Sequence, residues 1–196
     1  MRRRDDIGWI EVICGPMFSG KSEELIRRIT RSTIARIPVQ TFKPSVDDRY
    51  AEARLVSHSR LEVEAQPVGD SQELLGSIDD ATEIVGIDEG QFFDSGLIEV
   101  CEGLALAGKQ VIVAGLDLDY LGRPFDPIPG LASRAEYVTK MLAVCHRCGA
   151  PAAFTQRIVE SDDLVVLGAT GAYEARCRRC YRPGEPSQQA LALGGG

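Results

Sequence analysis

Apolar residues fall into short runs along the chain, and their spacing alternates between the strand and helix periods. WIEVICG (Trp9–Gly15) predicts a short buried strand, rich in β-branched residues and stopped by Gly-Pro. SEELIRRITRSTIAR (22–36) predicts a helix, with Leu25, Ile26 and Ile29 on one face and arginines outside it. IPVQTFKP (37–44) predicts a second strand. The polar stretch from Ser45 to Val68 reads as a long irregular loop with a possible strand near Leu61–Ala65, and loops of that length carry function or move. SQELLGSI (71–78) predicts a short helix, EIVGIDE a third strand, DSGLIEVCEGLALAG (94–108) a capped helix and KQVIVAGLD (109–117) a fourth strand. LASRAEYVTKMLA (131–143) reads as helical. AAFTQRIV and DLVVLGA read as the two strands of a later hairpin, and the tail RPGEPSQQALALGGG has the composition of a frayed end. Alternating strands and helices predict an α/β fold: a mainly parallel sheet with helices in residues 1–143, followed by a small module in 144–182 and a tail in 183–196.

Composition narrows the class. The 196 residues are 44% hydrophobic, which is globular rather than disordered. No apolar run approaches the roughly 18 residues that span a bilayer. MRRRDDIGWIEVICG resembles a signal peptide only in its first four residues, since Asp5, Asp6 and Glu11 interrupt it, so a cytoplasmic protein without membrane partners is expected. The net charge of −7 argues against a general nucleic-acid binder. Between Arg134 and Arg182, eight basic residues face five acidic ones, which sets the C-terminal part apart in charge.

Three motifs carry chemistry. Gly15, Pro16, Met17, Phe18, Ser19, Gly20, Lys21 and Ser22 read GPMFSGKS, a full match to the phosphate-binding P-loop, with a strand before it and a helix after it. Glycines let successive N–H groups converge on phosphate oxygens, and the helix N-terminus adds partial positive charge. Lys21 is expected to reach the β- and γ-phosphates of ATP, and Ser22 to ligate Mg²⁺. The strand EIVGI ends in two adjacent carboxylates. Given the P-loop, Asp88 is expected near Mg²⁺, on a strand beside the P-loop strand. Glu89 suits either of two tasks, activating a water or accepting a proton from a substrate hydroxyl. Cys145/Cys148 and Cys177/Cys180 form two C-x₂-C pairs with 28 residues between them, the spacing of a four-thiolate structural Zn²⁺ site, although four thiolates could also hold iron. Arg147, Arg178 and Arg179 can offset its charge. His58, His146, Cys14 and Cys101 read as residues without a specific role.

GPMFSGKSEELIRR, DDRY, SHSR, IDEGQFF, GLDLDYLGRPF, the two C-x₂-C pairs and GAYEARCRRCY together resemble the type II thymidine kinase family, from about residue 9 to residue 182. The resemblance implies a P-loop NTPase-like α/β domain with a C-terminal zinc-ribbon domain whose lasso loop closes over the nucleoside. It implies transfer of the γ-phosphoryl of ATP to the 5′-hydroxyl of thymidine or deoxyuridine, homotetramers, and inhibition by thymidine triphosphate. Glu89 matches the family's catalytic base, Arg49 a position near the phosphates and Asp47 one near Mg²⁺. Met17, Phe92, Leu116, Tyr120, Phe125, Thr155, Leu164, Val166, Gly168 and Tyr173 match its base pocket. A competing reading is a P-loop ATPase with a zinc ribbon acting on nucleic acid, in which Glu89 would polarise water. That reading calls for a basic groove with stacking aromatics, which the acidic balance disfavours.

Overall fold

A computed structural model describes residues 7–45, 62–159 and 169–184, with the backbone of 54–56. The chain falls into two compact units. One draws on Met1–Cys14, Lys21–Asp117 and Phe125–Lys140, the other on Gly15–Gly20, Leu118–Pro124 and Met141–Gly196.

The first unit is built on a sheet. In chain order its elements are β1 (Trp9–Cys14), α1 (Lys21–Ile34), β2 (Val39–Pro44), β3 (Arg54–Val56), β4 (Glu62–Glu64), β5 (Gln66–Val68), α2 (Ser71–Gly76), β6 (Ile84–Ile87), α3 (Leu97–Leu106), β7 (Gln110–Gly115), α4 (Ile128–Ala132) and β8 (Tyr137–Lys140). Six strands run in the order β5-β2-β6-β7-β1-β8, every neighbouring pair parallel. All four residues of β6 and five of the six in β7 are buried, as continuous apolar runs in a two-faced parallel sheet should be. Leu25, Ile26 and Ile29 are buried on α1, so its apolar stripe forms the face the sequence predicts. Burying each such side chain contributes about 1.5–3 kcal/mol. β3 and β4 pair antiparallel outside this sheet.

Two expectations change. LASRAEYVTKMLA is not one helix. α4 ends at Ala132, and Tyr137–Lys140 runs as β8 along the edge of the sheet, in parallel register with β1. Tyr137, Val138 and Thr139 favour a strand, and the open edge of β1 supplies the partner. The strand bearing Asp88 is also not the neighbour of the P-loop strand, because β7 lies between β6 and β1.

The second unit contains β9 (Ala143–Val144), β10 (Pro151–Ala152), β11 (Phe154–Arg157), α5 (Ala169–Ala172) and β12 (Tyr173–Arg176). β9 pairs antiparallel with β10, and β11 with β12. Within AAFTQRIV, Phe154–Arg157 forms a strand, and among the described residues it pairs with Tyr173–Arg176. Residues 163–168 of the expected partner DLVVLGA lie outside the described residues. A small core of Ala143, Cys145, Ala152, Ala175 and Cys177 fills this unit. Among the described residues, no helix is long and apolar enough to cross a membrane.

Candidate functional site

In a parallel sheet, ligand-binding side chains gather where strands end and loops begin. At the end of β6 the chain leaves the strand into Asp88 and Glu89. Asp88 is buried, and its carboxylate accepts a hydrogen bond from Ser22 Oγ at 3.2 Å. Burial, then the adjacent Glu89 carboxylate, push its pKa up to about 7, against the hydrogen bond from Ser22. Lys21, in the first turn of α1, is 9% exposed. Desolvation lowers its pKa, and the charges of Glu89 and Asp88 oppose that. A buried ammonium and a buried carboxylate, on Lys21 and Asp88, therefore sit with the half-buried hydroxyl of Ser22 and carboxylate of Glu89. Oxygen donors from Ser22 and Asp88 suit a hard cation such as Mg²⁺, whose charge would relieve the repulsion between neighbouring carboxylates.

Glu89 has φ 50° and ψ 40°, a left-handed conformation that costs a non-glycine residue about 1–3 kcal/mol. A 3₁₀ turn over Gly90–Phe92 follows it. Gln91, in that turn, is buried. Its Nε2 donates to Glu89 Oε2 at 2.5 Å, and its Oε1 accepts from the Leu116 N–H at 2.9 Å. Phe92 and Phe125 meet edge to face, with ring centroids 6.2 Å apart. Beyond β7, Asp117 pairs with Lys140.

The loop Gly15–Gly20 belongs to the second unit. Gly15, Phe18 and Gly20 all have positive φ, which turns the backbone sharply, as a loop that gathers N–H groups around an anion requires. Gly15 is required twice over, by its φ of +148° and because an added Cβ would lie 2.4 Å from the Met141 carbonyl oxygen. Ser19 Oγ donates to the Pro16 carbonyl at 2.8 Å, and the Met17 N–H donates to Thr155 Oγ1 at 3.0 Å. In the same unit, the Arg157 guanidinium lies 3.6 Å from the Tyr120 ring centroid and donates to the Tyr173 hydroxyl at 3.2 Å. Tyr181 stacks on Phe154 and donates to the Tyr120 carbonyl at 2.7 Å.

The sulfurs of Cys145, Cys148, Cys177 and Cys180 all lie within 4.8 Å of one another, with Cys148 and Cys177 3.6 Å apart. Tetrahedral zinc with Zn–S bonds of about 2.3 Å needs sulfurs about 3.8 Å apart. The four cysteines fit that ion. Against the cost of burial, backbone N–H donors lower the Cys145 and Cys177 thiols, while Cys180 is raised, first by its hydrogen bond with Cys148. Thiols this close cannot all ionise without a cation between them.

The sequence pattern of the family described as Thymidine kinase matches residues 8–181. The chain belongs to the thymidine kinase family. One relative, a thymidine kinase from Rhodothermus sp. (strain ITI 518), is 52% identical over 187 residues, which cover 95% of this chain and 87% of that protein. The family match spans every motif described above. Within it, the structure brings together Lys21, Ser22, Asp88 and Glu89, and separately Phe92 with Phe125, Met17 with Thr155, and Tyr120 with Tyr173 through Arg157. Asp47, Arg49, His58, Leu164, Val166 and Gly168 lie outside the described residues. His146 and Cys148 are exposed, and Cys14 and Cys101 are buried. Sequence reasoning passed over Gln91 and Arg157. The only local signal for Gln91 was its place two residues after Glu89, and its contact with Leu116 is set by the fold.

Proposed function

We propose that the protein is a thymidine kinase that transfers the γ-phosphoryl group of ATP to the 5′-hydroxyl of thymidine, and also of deoxyuridine, in pyrimidine deoxynucleotide salvage. Family membership over residues 8–181 carries the reading. The grouping of Lys21, Ser22, Asp88 and Glu89, with Lys21 and Asp88 buried, supports the assignment of roles.

In this reading the backbone of Gly15–Gly20 cradles the phosphates, with Arg49 nearby, and Lys21 balances the charge of the β- and γ-phosphates. Ser22 and Asp88, with Asp47, would hold Mg²⁺, which when bound would neutralise charge on the phosphate oxygens. Glu89 accepts the proton of the 5′-hydroxyl as that oxygen's electron pair forms a bond to the γ-phosphorus. The bond from that phosphorus to the bridging oxygen breaks, and ADP leaves with the pair. Met17, Phe92, Leu116, Tyr120, Phe125, Thr155 and Tyr173, with Leu164, Val166 and Gly168, are assigned to pyrimidine recognition by their match to the family's base-pocket positions. Zn²⁺ on the four cysteines is structural, since four thiolates leave no open position. Inhibition by thymidine triphosphate, a homotetramer and a cytoplasmic setting complete the reading.

ADP release that requires thymidine, and proceeds with deoxyuridine in its place, is the expected result in an ATP turnover assay. ATP hydrolysis indifferent to nucleoside and stimulated by single-stranded DNA would overturn the reading in favour of a nucleic-acid ATPase.

A further inference from the structure

We propose that Gln91 is a positioning residue of the phosphoryl-transfer site, its buried carboxamide holding the Glu89 carboxylate in place from the backbone of Leu116. The inference rests on the reading of Glu89 as the base. Its own observation is the geometry of one side chain. Gln91 is 3% exposed, and both ends of its amide are engaged. Leu116 N–H can only donate, so the oxygen of the carboxamide must face it, at 2.9 Å. The nitrogen is thereby turned toward Glu89 Oε2, at 2.5 Å. The orientation of the amide is fixed by its partners.

The surroundings hold the amide still. A Cβ on Gly115 would lie 2.8 Å from Gln91 Oε1 and 2.6 Å from Ile128 Cδ1, so the fold keeps glycine where the carboxamide passes. A Cβ on Gly90 would meet Val113 Cγ1 at 2.7 Å, which leaves the turn carrying Gln91 little room to shift. Glu89 itself sits in a left-handed backbone conformation, so its side chain leaves the chain in a direction that ordinary strand geometry would not give. A half-buried carboxylate on such a turn needs a second anchor to keep one rotamer, and Gln91 is that anchor. Leu116 begins the segment after β7, so the same amide also ties the base to that segment.

A plain packing role for Gln91, satisfying the Leu116 N–H and nothing more, predicts a different outcome, and a double-mutant cycle separates the two. Wild type, Glu89→Gln, Gln91→Met and the double variant are compared by kcat and by KM for thymidine and ATP. Gln91→Met should lower kcat by about tenfold to a hundredfold, as displacement of a reacting group does, with KM changing by less than about threefold. In the Glu89→Gln background the same substitution should cost less than about twofold more, because the group it positions is already gone. Gln91→Asn keeps a carboxamide but is one methylene too short to reach both Leu116 and Glu89, and it should reproduce the kcat loss with a cooperative thermal transition retained.

Equal losses from Gln91→Met in both backgrounds, or wild-type kcat in Gln91→Asn, would overturn the proposal and leave Glu89 as the base. Full turnover by Glu89→Gln alone would remove the base itself, and the positioning role with it.

Discussion

Lys21 shows how single residues are tuned by where the fold sets them. Its amine is almost wholly removed from water, and the cost of that burial is opposed by Glu89 and Asp88. Replacing Lys21 with Met keeps the stem and removes the charge. If Lys21 stabilises charge on the transferring phosphoryl, kcat should fall by about 10²–10³-fold, as loss of a preorganised electrostatic donor does. A change in KM for ATP with kcat intact would assign Lys21 to ground-state binding alone. GPMFSGKS, the Asp88–Glu89 pair and the four cysteines were legible in the sequence because each chemistry demands a local residue pattern. The partnership of Gln91 with Leu116 was not, since it joins residues 25 positions apart through the end of β7. Arg157 under the Tyr120 ring was hidden for the same reason.

At the scale of elements, α1 is held to the sheet by more than its apolar stripe. Glu24 accepts from Arg27 at 2.6 Å and from Arg28 at 2.8 Å, and Arg28 continues to Glu11 on β1 at 2.5 Å and Thr139 on β8 at 2.9 Å. The hydrogen bond from Arg27, with further help from Arg28, holds the Glu24 carboxyl down at about 2, against an ordinary value of 4.5. The folded-state value lies below the unfolded one. The stabilisation is therefore complete above about pH 4.5 and lost as pH falls toward 2. Glu24→Gln should be less stable than wild type at pH 7, and the gap should narrow as the pH drops through that window in denaturant titrations. A gap unchanged with pH would show that Glu24 stabilises by packing rather than by charge. The same region shows where element prediction fails. Leu131, Ala135, Val138 and Leu142 mimic a helical spacing, yet pairing with β1 makes a strand of Tyr137–Lys140. The partner of β11 escaped prediction because antiparallel pairing is decided across a long intervening segment.

The whole chain comprises a unit built on a parallel sheet, whose strand ends carry the charged site, and a second unit that holds four clustered cysteines. Around the four cysteines, the packing is small alanines and the cysteines themselves, so a metal on the thiolates would contribute much of what holds this part together. Elemental analysis should find one zinc per chain. Chelation under reducing conditions should lower the melting temperature, and zinc should restore it. Protein free of zinc with an unchanged melting temperature would remove the metal from the account. The proposed phosphoryl transfer to a nucleoside is tested by following the label from γ-labelled ATP in a single turnover with thymidine, in the presence and absence of single-stranded DNA. The label should appear in thymidine monophosphate at the same rate in both. Label released only as inorganic phosphate, and only when DNA is present, would contradict it.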